Sequence, residues 1–239
     1  MKEKINLPIN TIHLEFFRCL LKLKLISLSS FRRIINYPSH KSVLEKIVRR
    51  FEVLGIIKSF TNPYSRKKYI YLTNLGYQLF EHQGERFKFN PETALHDAMV
   101  IELVSALETH VSFYETLITV HSDKKLNPDA VLIKRLGNSL SALAIELEIT
   151  QKSKVRIAEK IRNYLSNQQY HHVVYVFTNR NIMENYKKTI ATEFGDEAFN
   201  KILLFFNSSV ISRKFDILET IGSPRGSPIG LVNFLNNVI

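Results

Sequence analysis

The chain has 239 residues, 33 Lys+Arg against 22 Asp+Glu, 45% apolar residues, and only 8 Gly and 7 Pro. That is enough to bury one large core or two small ones, and it excludes disorder, collagen and low complexity as overall descriptions. The single cysteine, Cys19, excludes a disulfide framework and a cysteine-based zinc site, and no apolar run approaches the roughly 18 residues needed to span a bilayer.

The charge is unevenly placed. Residues 1–90 hold 17 Lys+Arg and 6 Asp+Glu, whereas residues 91–239 hold 16 of each. The excess therefore sits in the first third, the footprint of a nucleic-acid-binding module joined to a neutral one. The opening stretch is basic and then apolar. Glu15, Arg18, Lys22 and Lys24 interrupt it and no small-residue cleavage site follows, so it reads as a helix and not as a signal peptide. A reducing, cytoplasmic setting is expected, with no membrane partner.

In chain order, Thr11–Lys24 carries apolar residues at Ile12, Phe16, Phe17, Leu20, Leu21 and Leu23, which is helical spacing. Ser27–Asn36 reads as a short second helix. Pro38 and Ser39 break and cap, and Ser39–Leu54 reads as a third helix ending at Gly55. Its polar face shows Lys41, Lys46, Arg49 and Arg50. Two short β-branched and aromatic runs follow, Ile56–Phe60 and Lys67–Leu72, around a basic tip at Arg66, Lys67 and Lys68. Thr73 caps a last helix running to about Gln83. The spacing predicts a cationic helix for the major groove and a hairpin tip for phosphates. The order of elements is that of a winged helix-turn-helix. The run "LGII…KKYIYLTNLGYQLF" resembles the wing of many bacterial winged-helix proteins.

The second part opens on the helix Glu92–His110. A strand-like run, Val111–Thr119, and a strand beginning Pro128-Asp129 follow. A turn at Gly137-Asn138-Ser139 leads into Leu140–Thr150. Helix 152–165, strand 171–178, helix 181–194 and strand 201–206 complete an alternation that predicts a mixed sheet covered on both faces. The tail after residue 206 has no legible role.

Within Leu143–Ile149 the apolar positions alternate strictly, so Glu146 and Glu148 share one face of a strand. Asp129 joins them if the two neighbouring strands form a hairpin. Three carboxylates side by side repel unless a cation holds them, and oxygen ligands suit Mg²⁺ or Mn²⁺. A solvated sheet face paired with Lys152, Lys154, Arg156, Lys160 and Arg162 is the alternative reading.

Pro128-Asp129, then "AIELEIT", then the basic helix "KSKVRIAEKIRNY", is similar to the PD-(D/E)XK nuclease core. The pattern looks most like the replication-relaxation family and the related MobC-type relaxases of mobilisable plasmids, over most of the chain through about residue 206. The resemblance implies a winged-helix DNA-binding domain over 1–88 and a restriction-endonuclease-like domain over 89–239, an α/β fold overall. It implies metal-dependent nicking of double-stranded DNA at a plasmid origin in mobilisation or replication, with other mobilisation or replication proteins as further partners. Asp129 and Glu146 match the two metal-binding acids. Glu148 stands where the motif usually has Lys. It is then a third ligand or a general base, or the lysine has migrated to Lys152 or Lys160, or the site is degenerate and the protein only regulates through DNA binding. Helix 91–110 looks like the family's opening helix and brings His96 and Glu102 near the site, Glu102 as a further metal ligand.

Other sites are set aside. No His-X-His motif occurs, and neither of the two glycine-rich nucleotide motifs, the P-loop and the dinucleotide fingerprint, is present. His171-His172, Tyr164 and Tyr170 read as packing residues and Cys19 as an inert buried thiol.

Overall fold

The computed structural model describes residues 11–34, 41–80, 86–119, 126–212, 214–224 and 227–237. Pro38, Ser39, His40, His82, Gln83 and His121 lie outside those residues, as do the side chains of Ile12 and Lys41.

The chain forms α1 (Thr11–Leu23), β1 (Leu25–Ser27), α2 (Leu28–Ile34), α3 (Lys41–Val53), β2 (Ile57–Thr61), β3 (Lys68–Leu72) and α4 (Asn74–Leu79). β1 and β2 flank β3 in a three-stranded antiparallel sheet. The strand β1 fills the gap between the first two predicted helices and takes only Ser27 from the second. Leu25, Ile26 and Ser27 are wholly buried and pair with Tyr71, Ile70 and Tyr69, so a partner 44 residues away decides their backbone. Lys24 makes the corner in the left-handed region (φ 66°), its N–H closing the helix on the Leu20 carbonyl at 2.9 Å. Gly55 ends α3 at φ 69°, as its position predicts. Thr73 caps α4 by accepting the Gly76 N–H.

The second half contains α5 (Ala94–Leu107), β4 (Glu115–Ile118), β5 (Ala130–Leu136), β6 (Ser139–Glu148), α6 (Lys154–Ser166), β7 (His172–Phe177), α7 (Arg180–Phe194) and β8 (Ile202–Phe206). The tail, illegible in sequence, adds β9 (Ile221–Gly222), β10 (Ile229–Gly230) and α8 (Leu231–Asn237). The seven strands run in the order β10-β9-β8-β7-β6-β5-β4, with β6, β7 and β8 parallel and the rest antiparallel. This is a mixed α/β architecture, and among the described residues no helix is long and apolar enough to cross a membrane.

The sheet's two faces build separate cores. Leu143, Ile145 and Leu147 of β6 pack toward α5 and α8, whereas Ala144 packs with α6 and α7 around Ile161, Tyr164 and Tyr186. A third core fills the N-terminal part around Phe16, Phe17, Phe31 and Phe51. α5 is buried from all sides. Ala98 and Ile101 belong to the N-terminal core, while Met99, Val100 and Leu103 belong to the sheet's. A helix apolar all round is the local signature of an element shared between two cores.

Candidate active site

β5 and β6 form a hairpin through Gly137-Asn138. Gly137 takes φ 60° at the first central position, as a type II′ turn requires. The register pairs Ala130 with Ile145 and Leu132 with Leu143. Because side chains alternate, this register sets Asp129, just before β5, beside Glu146 and on the same face as Glu148. The face carrying them is the one α6 covers. All three carboxylates line one cleft of about 330 Å³, together with His96, Lys152 and Lys160.

Asp129 accepts the Leu147 N–H at 2.7 Å, which anchors the hairpin end. His96, from α5, points Nε2 at the Leu147 carbonyl (3.0 Å) and at Asp129 Oδ2 (3.5 Å). Burial opposes charge on this imidazole. The hydrogen bonds to Asp129 and Asp97 outweigh it and raise the pKa to about 10, so His96 is a cation at neutral pH. Burial likewise opposes charge on Asp129, and the His96 contact outweighs it, holding the carboxyl below its usual range.

Glu146 is 1% exposed. Lys160 reaches across from α6 to Glu146 Oε2 at 2.6 Å, and the Tyr164 hydroxyl donates to Oε1. Even so, burial first and the Asp129 charge second push this carboxyl up to about 8. Glu148 is also raised, chiefly by burial; Lys160, a hydrogen bond from Tyr186 and Lys152 (3.9 Å) act against the rise. Lys160 faces all three acids, and their attraction raises its pKa against the opposing effect of burial.

Several expectations need correction. Glu102 is not at this site. It is sealed between α5 and the N-terminal part, where Ser27 (2.6 Å) and Ser30 (2.8 Å) donate to Oε1 and Lys67 (2.6 Å) to Oε2. One helical turn and a half past His96, its side chain faces the other core. Lys67 is correspondingly no free cation for DNA, since its ammonium is spent on Glu102 at 17% exposure. Lys68 pairs with Glu52 at 2.9 Å and stays half-open. Lys46, Arg49, Arg50 and Arg66 are exposed, and Arg49 and Arg66 line one notch between α3 and the hairpin tip. Lys41 begins α3.

Tyr164 does more than pack, because its hydroxyl fixes one Glu146 oxygen. His171 accepts the Ala142 N–H, and His172 packs on Phe234. Cys19 is half-buried, and burial lifts its thiol to about 11. No local pattern reveals the tyrosine contact, although Tyr164 four residues after Lys160 places both on one face of α6.

Among the described residues, no three of His, Cys, Asp and Glu converge closely enough to hold an ion as they stand. The acids line one cleft but do not close into a three-carboxylate cage. Asp129 and Glu146 suit Mg²⁺ or Mn²⁺ as a pair. Mg²⁺ keeps most of its waters and commonly takes one or two carboxylates plus substrate phosphates.

Neither a protein-family model nor a curated protein matches the chain. Among solved structures it is similar to restriction endonuclease FokI bound to DNA, at 10% identity and a TM-score of 0.30. The likeness covers 84% of this chain and 43% of that one, so the chain spans less than half of FokI's length. At that level it carries no argument, and the reading below rests on the cleft.

Proposed function

We propose that this chain is a metal-dependent DNA endonuclease of the PD-(D/E)XK kind, which grips a duplex with its N-terminal winged helix and cuts one strand in the cleft. The observation that carries this reading is the convergence of Asp129, Glu146 and Lys160 from two strands and a helix into one cleft. Asp129 and Glu146 would hold the divalent ion. When bound, it supplies Lewis-acid polarisation of the scissile phosphate and a more acidic water. Glu148, whose pKa burial raises, stands beside the pair as the group to accept the water's proton. Lys160, on α6, would serve for the missing motif lysine. It sets a positive charge where negative charge gathers on the phosphate, and Lys152 stands behind it. His96 holds Asp129 and the Leu147 carbonyl in place. The division of labour is residues up to about 88 for binding and the remainder for cutting. The plasmid-origin setting follows from the resemblance alone.

The second reading is a DNA-binding regulator with a degenerate cleft. The full occupation of both Glu146 oxygens by Lys160 and Tyr164 favours it. Supercoiled plasmid with Mn²⁺ separates the two. The nuclease reading predicts open circles from the wild type and none from Asp129→Asn, Glu146→Gln or Lys160→Ala. Absence of open circles with the cognate origin present rejects it.

A further inference from the structure

Behind Glu146 and Glu148 stands a wall of three tyrosines. Tyr164 comes from α6. Tyr186 comes from α7, between Ile182 and Ile190 on its buried stripe, and Tyr175 from β7, beside Glu146 in the ladder. All three are exposed by 2% or less. The Tyr175 ring joins the other two, its centroid 6.3 Å from that of Tyr164 and 5.7 Å from that of Tyr186. Two of the hydroxyls end on the acids. Tyr164 donates to Glu146 Oε1, and Tyr186 donates to Glu148. The Tyr175 hydroxyl has no hydrogen-bond partner among the described residues.

Phenylalanine fills nearly the same volume and brings no oxygen into a core. A buried hydroxyl must find a partner or cost stability. At 164 and 186 the partner is a carboxylate of the cleft, and each acid receives its tyrosine from a different helix. These donors differ in kind from Lys160. An ammonium on Glu146 Oε2 competes with any other cation for that oxygen. A neutral phenol takes one lone pair of Oε1 and leaves the carboxylate its charge. It fixes where the carboxylate points without displacing an ion. Hydrogen bonds behind a metal ligand orient it in this way.

We propose that Tyr164 and Tyr186 are positioning residues with separate tasks: Tyr164 aims Glu146 at the divalent ion, and Tyr186 aims Glu148 at the attacking water. This deepens the nuclease reading and rests on it. Both tyrosines act through the acid they hold. Tyr175, whose hydroxyl reaches neither acid, contributes its ring alone.

Tyr164→Phe, Tyr186→Phe and Tyr175→Phe each remove one oxygen and keep the ring, so the fold is retained. Two quantities are measured on the intact chain. The first is Mn²⁺ affinity without DNA, from the rise of the thermal midpoint with Mn²⁺ concentration. The second is the nicking rate of supercoiled plasmid at saturating Mn²⁺. Tyr164→Phe should bind Mn²⁺ about tenfold more weakly than wild type. Tyr186→Phe should bind Mn²⁺ within about twofold of wild type, yet nick about tenfold more slowly at saturation. Tyr175→Phe should match wild type in both. Unchanged Mn²⁺ affinity in Tyr164→Phe, or an unchanged saturated rate in Tyr186→Phe, overturns the assignment. An equal loss in all three variants, the mark of a packing role, overturns it too. In each of these cases the wild type still binds and cuts, so the nuclease reading stands. A wild type that neither binds Mn²⁺ nor cuts sinks that reading, and the assignment with it.

Discussion

Glu102 and Glu146 are both all but sealed from water, at 3% and 1% exposed, and each has a lysine ammonium 2.6 Å away. Their electrostatics are opposite. Burial opposes charge on both. On Glu102, Lys67 and the hydroxyls of Ser27 and Ser30 outweigh it, and the carboxyl is held below its usual range. On Glu146, Asp129 adds a second negative charge, and the carboxyl rises to about 8. The first cluster is balanced and ties α5 to β1, α2 and the hairpin. The second sets two carboxyls side by side in a buried cleft, where burial and the neighbouring charge raise one of them, the kind of perturbation that gathers at functional sites.

The largest effect should fall on chemistry. Asp129→Asn or Glu146→Gln should lower the rate of plasmid nicking at least about a hundredfold, whereas Glu102→Gln, compared per folded molecule, should cut at nearly the wild-type rate. Nicking that survives in Glu146→Gln would erase the distinction between the two clusters.

Stability should run the other way. Glu102→Gln leaves Lys67 buried without its counter-charge and should cost about 3 kcal/mol in urea unfolding at pH 7. Glu102's depressed pKa makes its contribution full above the ordinary value of 4.5 and lost as pH falls through the folded pKa. The gap between wild type and variant should therefore narrow in acid. For metal-free Glu146→Gln the sign reverses. A raised carboxyl binds its proton more tightly folded than unfolded, so its charge costs stability as pH rises from 4.5 to about 8. The variant's thermal midpoint should gain on the wild type as pH rises from about 4.5 to about 8 and level off above that. A loss as large as that of Glu102→Gln would contradict the raised pKa of Glu146.

The smallest effect concerns duplex binding. Arg49→Ala and Arg50→Ala should each flatten the log K against log[salt] slope by about 0.9, whereas Lys67→Met should leave it unchanged, because that ammonium faces Glu102. A slope change for Lys67→Met would put the hairpin tip's cations back on the DNA.

Periodicity carried much of this. The alternation in Leu143–Ile149 gives the carboxylate face, whereas Lys160 enters as a candidate only through the resemblance to the nuclease core. What was not legible depends on partners remote in sequence. Ser27 reaches Glu102 across 75 residues, and Lys67 reaches it across 35. A glutamate one turn and a half from His96 on a helix buried all round gives no sign of which core it faces. β1 and the β9–β10 pair are 3, 2 and 2 residues long, too short for any period to register, and are held only by the strands they join. Tyr164 looked like packing because it does pack. Its hydroxyl's partner lies on β6, 18 residues back.

The most direct measurement of the central claim is thermal unfolding of the intact chain at pH 8 against increasing Mn²⁺, without DNA. An ion that binds only the folded state raises the midpoint as the logarithm of its concentration. The account predicts that rise for the wild type and its loss in Asp129→Asn and Glu146→Gln, with Glu102→Gln rising in parallel with the wild type from a lower start. A flat wild-type curve, or equal rises in all four proteins, would contradict it.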